Sequence, residues 1–418
     1  MKLNDRKDRE LSERGGVGTS ARYLSLYTSC LVLAVVMLAV LGETTESPHL
    51  TLQQVSVIIP PRVRRCHAPS KRSYLVSCVH LQVFRHGDRN ILSVYPFDPY
   101  HDNMTVWTEG IGQLTNRGKL QMWELGRYLR QRYGRLVPEL YSPEDTLMTS
   151  SDVDRCLMSA QLVLAGLYPA RGSQVWNPSL DWQPIPVHST NPGQDKLIRM
   201  DAPCPAYSKE YELANNSSVI QNFTQEHADV FRIINEQGWP ATRIDQINGV
   251  YDSLKIEESR GLILPDWATS IYPDKLREVL ETYEAMRVHT PFMQKLISGP
   301  LLKAISGHMT SKMAGSLKPD RKLFLYSGHD STITALLQGL GFPRKFVVEY
   351  GAALFFELYS TSDGLGTVKG RQRAGIAQEE VSARHRTFNT VLAEGRHSTG
   401  IGFCKAPHIE HSPGRGQA

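Results

Sequence analysis

The sequence predicts an α/β fold, a sheet carrying an inserted and mainly helical cap, on three observations. Two short apolar segments, Val79 to Phe84 and Lys322 to Ser327, have the length and composition of buried strands. Two longer segments, Thr115 to Tyr133 and Asp274 to Val288, carry apolar residues at helical spacing. Between those helices, residues from about 192 to 267 are polar and poor in strand signals, which suits a helical insertion. With 418 residues, 41% of them hydrophobic, the chain can bury one large core or a main domain with a smaller inserted one.

The chain opens with a basic lead at residues 1–22 (Lys2, Arg6, Lys7, Arg9, Arg14, Arg22). An uncharged stretch at 23–42 follows, most apolar from Cys30 to Leu41. That apolar core is shorter than the roughly 20 residues of a membrane span, so it suits a signal peptide cleaved near Ala39 or Gly42. The whole uncharged stretch also suits an uncleaved signal anchor with the basic lead left in the cytosol. Either route sends the body of the protein into the secretory pathway. The sequons at Asn103, Asn215, Asn216 and Asn222 agree with that destination.

The first strand runs into Arg85-His86-Gly87-Asp88-Arg89. Two guanidiniums and an imidazole over one turn can converge on a small anion, and arginine forks match the oxygens of a phosphate. Neutral imidazole between them is a competent nucleophile toward phosphorus. After this turn, Thr115 can cap a helix that carries Leu120, Trp123, Tyr128 and Leu129 toward a core. The second helix presents Leu276, Val279, Leu280 and Tyr283. Pro300 to Lys318 reads as helix plus loop leading into the strand at Leu323. That strand ends in Gly328-His329-Asp330, before a helical stretch capped by Ser331 or Thr332. Polar groups at the carboxyl end of a strand stand where open α/β sheets place their ligands. An Asp there can donate a proton, and a His there can add a donor to an anion.

Composition narrows the function further. A net charge of +5 is modest for this length and spread along the chain, so it gives no case for nucleic-acid binding. No internal repeat and no zinc-like spacing of Cys and His is present, and no metal or cofactor is expected. Apart from Cys30, the cysteines are Cys66, Cys78, Cys156, Cys204 and Cys404, an odd number whose pairing the sequence does not fix.

From about Val79 to Tyr359 the chain resembles the histidine acid phosphatases of the prostatic and lysosomal type. Beyond the two charged strings, the likeness rests on Trp107-Thr-Glu-Gly-Ile-Gly-Gln-Leu-Thr115, Ser151-Asp-Val-Asp-Arg-Cys-Leu-Met-Ser-Ala160 and Trp176-Asn-Pro-Ser-Leu-Asp-Trp-Gln-Pro-Ile-Pro-Val-His188. Leu264-Pro-Asp-Trp-Ala-Thr269 and Phe356-Glu-Leu-Tyr359 complete it. The resemblance implies a phosphoglycerate-mutase-like mixed sheet flanked by helices. It implies a domain at 79–360 with its cap at about 192–267, and leaves a tail at 361–418, rich in Gly, Arg, Ser and His, that reads as disordered.

The implied activity is hydrolysis of phosphate monoesters, small molecules or phosphoproteins, through a phosphohistidine. His86 is the nucleophile, Asp330 the proton donor, and Arg85, Arg89 and His329 hold the phosphoryl oxygens. Asp88 helps orient the turn. The implied setting is secreted or lysosomal, or membrane-anchored if the signal is retained, and a homodimer is compatible with it.

Three departures accompany the likeness. The family has a phosphate-binding arginine where this chain has Thr149, and no Lys or Arg between Arg135 and Arg155 replaces it. Losing one such donor costs on the order of 100- to 1000-fold in rate, so Thr149→Arg is expected to raise activity. Asn90-Ile91 stands where the family usually has a proline after the turn. Two family cysteines that pair with each other fall at Ile256 and Ala353, and Cys204 matches one whose partner would lie further toward the C-terminus. Thr149 and the altered tail favour the alternative of a weak or inactive phosphate-binding pseudophosphatase, whereas intact His86, His329 and Asp330 favour an enzyme. A phosphohistidine mutase is the weaker rival, since Gln183-Pro-Ile-Pro-Val-His188 points to the acid-phosphatase branch.

Overall fold

The computed structural model describes residues 76–101, 103, 105–342, 347–360, 366–373 and 387–388. The basic lead, the signal segment, Cys66 and Cys404 lie outside them.

The first strand, β1 (Val76–Arg85), is buried from Cys78 to its end. It pairs in parallel with β4 (Leu323–Gly328), which sets Arg85 beside Gly328. On its other side β5 (Ala353–Ser360) runs antiparallel and sets Ala353 beside Phe84. Two further parallel strands, β2 (Thr146–Ser151) and β3 (His188–Thr190), lie beyond β4. The antiparallel strands β6 (Gly366–Arg373) and β7 (Thr387–Phe388) lie beyond β5. The strand order is therefore β3-β2-β4-β1-β5-β6-β7, a mixed sheet. β1 and β4 are buried along most of their length because the middle of such a sheet is covered on both faces, and β1 carries His80 and Gln82 into that interior.

The expected Thr115 cap is present, for its hydroxyl accepts the Gly118 N–H at the start of α1 (Asn116–Tyr133). The buried stripe of α1 differs from the expected one. Met122, Leu125, Leu129 and Tyr133 face the sheet, whereas Leu120 and Trp123 are 47% and 37% exposed. Residues at 120 and 123 sit about 100° or more away from that stripe on a 3.6-residue turn. α1 lies flush on α2 (Asp154–Leu167), since a Cβ on Gly126 would come within 2.1 Å of the Val163 carbonyl oxygen.

The predicted cap holds α3 (Pro205–Asn215), α4 (Ser218–Glu226), α5 (Ala228–Glu236) and α6 (Asn248–Ser259). Its apolar core joins Val230, Ile234, Val250 and Leu254 to Leu276 and Val279 of α7 (Asp274–Met286) and Met293 of α8 (Pro291–Ile297). The packed unit thus continues past residue 267. Then α9 (Gly299–Met313) leads to β4, and α10 (Asp330–Gly339) follows it. The capping residue of α10 is His329, whose N–H is received by Thr332 Oγ1, so the helix starts earlier than Ser331.

The expectation of a disordered tail is corrected for two of its segments. Gly366–Arg373 pairs along the whole of β5, and Thr387–Phe388 adds a short rung beyond it. Polar strands toward the margin of a sheet lack the apolar runs that mark central ones, which is why composition hid them. Ile256 and Ala353, at the absent cysteine pair, are both buried. Cys204 is disulfide-bonded. Of the sequon residues, Asn215 is buried, whereas Asn216 and Asn222 are exposed.

Candidate active site

The carboxyl ends of β1, β2 and β4 meet at one edge of the sheet, and the titratable groups gather there. The His86 N–H bonds to the Gly328 carbonyl at 3.0 Å, and the His86 carbonyl accepts the Gly351 N–H at 3.1 Å. This pins the residue between β4 and the entry to β5. Gly87 is required by contact, because a Cβ there would lie 2.4 Å from the Gly118 carbonyl oxygen of α1. Asp88 holds the turn as expected. Its carboxylate accepts the Thr115 hydroxyl at 2.6 Å and faces Arg260 at 3.5 Å.

The His86 ring is buried and its tautomer is defined twice. Nδ1 lies 2.8 Å from the Gly87 carbonyl oxygen, which can only accept, so Nδ1 carries the proton. The Nε–H of Arg155 points at Nε2 from 3.1 Å, so Nε2 offers its lone pair. Burial, reinforced by Arg85, Arg155, Arg89 and His329, holds this imidazole well below its ordinary value of 6.5. Burial and the surrounding cations thus favour the neutral imidazole.

Arg85 bonds the Val348 carbonyl and reaches Asp330 Oδ2 at 2.8 Å, with its guanidinium 4.1 Å above the Tyr350 ring. Arg89 grips Asp252 of α6 with two bonds of 2.9 and 3.0 Å. His329 Nε2 meets the Ser151 hydroxyl at 2.9 Å. Burial, then Arg155, bring His329 down to about 4 in spite of Asp330. Asp330 accepts the Ser331 N–H at 2.7 Å through its other oxygen. Burial favours its protonated form, but Arg85, His329, that N–H and Arg89 outweigh it and hold the carboxyl at about 2.

The structure thus brings together His86, Arg85, Arg89, His329 and Asp330, but not Thr149. Thr149 pairs with Tyr326, inside the strand end, and Ser151 of the same strand is the one that touches His329. Sequence reasoning missed four residues. Arg155 sits in the first turn of α2, where a cation opposes the helix dipole, and among the described residues it has no carboxylate partner. The rule applied to the ends of β1 and β4, extended to the end of β2, finds it. Ser151 follows from the same rule. Tyr350 lies against Arg85 and His86, with burial pushing its hydroxyl up to about 12. Tyr350 and Asp252 carry no signal in the sequence. Among the described residues, no group of His, Cys, Asp and Glu is arranged to hold a metal ion.

A mixed sheet with a buried, guanidinium-ringed imidazole at its carboxyl edge defines an α/β protein built to hold a small oxyanion. Residues 76–369 match the model of the histidine phosphatase superfamily, branch 2. The chain is 36% identical to lysosomal acid phosphatase of Homo sapiens over 288 residues, 68% of this chain and 67% of that protein. It is likewise 36% identical to prostatic acid phosphatase of Bos taurus over 284 residues, 66% and 72% of the two chains. The solved phytase of Citrobacter braakii superimposes with a TM-score of 0.54 at 18% identity, covering 79% of this chain and 95% of that one. That likeness shows the fold alone. This chain belongs to the histidine phosphatase superfamily, branch 2.

Proposed function

We propose that the protein is an acid phosphatase that hydrolyses phosphate monoesters through a phosphohistidine on His86. The observation that carries the reading is the presentation of His86: Nδ1–H fixed on Gly87, the Nε2 lone pair held toward Arg155, and a ring of arginines around it. Nε2 bonds to phosphorus as the ester oxygen leaves. Arg85, Arg89, His329 and Arg155 neutralise the phosphoryl oxygens, which is most of what phosphoryl transfer requires. Arg155 supplies the guanidinium that Thr149 does not, and its N–H passes from Nε2 to a phosphoryl oxygen as substrate enters.

Asp330 is ionised and both its oxygens are engaged. A bound phosphate draws Arg85 toward itself and sets negative charge against the carboxyl, so Asp330 then holds the proton it gives to the leaving alcohol. In the second half, Asp330 takes a proton from water as the water oxygen attacks phosphorus and the bond to His86 breaks. The same three guanidiniums and one imidazole serve both halves.

The substrate is a small phosphate monoester or a phosphoprotein. The apolar run and the exposed sequons support passage through the secretory pathway to a secreted or lysosomal destination, with Asn216 and Asn222 as glycan acceptors. Among the described residues no helix is long and apolar enough to cross a membrane, and the apolar run lies outside them. Purified protein should hydrolyse p-nitrophenyl phosphate best in the acid range. His86→Ala should abolish both turnover and trapping of phosphoenzyme; trapping that survives would remove His86 from the role.

A further inference from the structure

The cap helix α6 lies along the phosphate turn and holds it at several places. Asp252 takes both Nη groups of Arg89 at 2.9 and 3.0 Å. Two turns later, Arg260 just past the helix reaches Asn90 Oδ1 at 3.0 Å and the Arg89 carbonyl at 3.5 Å, and also faces Asp88. Ser253 donates to the Ser93 carbonyl at 2.6 Å. Lys255 pairs with Glu349, the neighbour of Tyr350. The fork expected to be free for substrate is thus gripped by a carboxylate from the cap, and the buried Nε of Arg89 has no hydrogen-bond partner among the described residues.

We infer that Asp252 is a positioning residue that fixes the plane of Arg89 for the transition state. A bidentate carboxylate–guanidinium pair sets an orientation as well as a location. An unheld arginine at the same place would still attract phosphate, because charge attraction needs little alignment, but would meet the equatorial oxygens of the transferring group poorly. The cap therefore governs the chemical step as well as the opening above it.

This inference rests on the phosphatase reading, and the two can fail separately. In Asp252→Asn, kcat/KM for p-nitrophenyl phosphate should fall about 10- to 100-fold, in line with removing orientation from one of several donors. Inhibition by vanadate, which resembles the transition state, should weaken in parallel, whereas inhibition by inorganic phosphate should change less than about 3-fold. In an Arg89→Ala background, the same substitution should have almost no further effect on kcat/KM, because its route of action is gone. Additive losses, or equal weakening of vanadate and phosphate, would overturn the inference. If Asp252→Asn does not accumulate, Asp252→Glu gives the second arm, with the charge kept and the geometry shifted; unchanged vanadate affinity there counts against a positioning role. An unsubstituted chain without phosphatase activity would sink the functional reading instead, and calorimetric binding of vanadate and phosphate would still decide whether Asp252 acts through Arg89.

Discussion

Replacing Arg155 by alanine tests the site more directly than any other change. Its Nε lies 3.1 Å from Nε2 of His86, and its charge has no carboxylate partner among the described residues. Removing one preorganised donor from such a site costs about 100- to 1000-fold in kcat, or about 3–4 kcal/mol of barrier. A second effect follows from charge. Arg155 is one of the groups that depress His86, so its loss lets the imidazole hold a proton to higher pH. An imidazole at its ordinary 6.5 would be only about 3% neutral at pH 5. The acid limb of kcat/KM, measured on p-nitrophenyl phosphate from about pH 3.5 to 7, should therefore move upward in Arg155→Ala. The partner experiment is Thr149→Arg. Thr149 stands two residues inside the strand end, a rise of about 6.6 Å, which an arginine side chain can span. With Arg155 in place the added guanidinium crowds the site, so activity should stay flat or fall, contrary to the expectation from sequence. In the Arg155→Ala background it should restore at least about 10-fold. An Arg155→Ala enzyme within about 3-fold of the unsubstituted protein, where a loss of about 100-fold or more is expected, or a Thr149→Arg gain that ignores Arg155, would refute the reasoning.

Asp330→Asn should slow alkyl phosphates far more than aryl phosphates with good leaving groups, since only the former need a proton in the transition state; equal losses would point to a structural Asp. Gly118→Ala should lose about 1–3 kcal/mol of stability and most activity, because its Cβ would sit 2.1 Å from the Asp88 carbonyl oxygen; a normal Tm and kcat/KM would count against so close a fit. Glu257 of α6 is fully buried against Tyr95, and burial, then Asp98, raise its carboxyl from 4.5 to about 7. The folded form keeps that proton while the unfolded form loses it, so the contribution is complete below pH 4.5 and gone by the time pH passes 7. Up to about 3 kcal/mol is involved, and the Tm of Glu257→Gln should fall less than that of the unsubstituted chain between pH 4.5 and 7.5.

The parts of the site that the sequence made legible share one property: each follows an apolar run that ends abruptly. His86 and His329-Asp330 stand out for that reason, and the pairing of β1 with β4 brings the two runs side by side. Arg155 was obscured because β2 is short and polar, Thr-Leu-Met-Thr-Ser-Ser, with no apolar run to frame its end. Asp252 and Tyr350 enter the site through tertiary contact, from a cap helix and from the approach to an antiparallel strand. Neither leaves a mark in local sequence. The buried face of α1 was misread because Leu120 and Trp123 are apolar yet lie on the outward side, and glycines at 118 and 126 occupy the inward one. The polar strand β6 was taken for tail because its pairing with β5 supplies the order that its composition does not.

The antiparallel placement of β5 beside β1 has a practical consequence for engineering. Residues entering β5 lie beside His86, so length changes before Ala353 would alter the floor of the site at Tyr350. Residues leaving it lie at the opposite edge of the sheet, where Ser360 pairs with Gly366. The eight residues of β5 span about 26 Å at the usual rise per residue. Changes made at the Ser360 end of β5 would thus lie a full strand length from His86 and leave the chemistry there untouched.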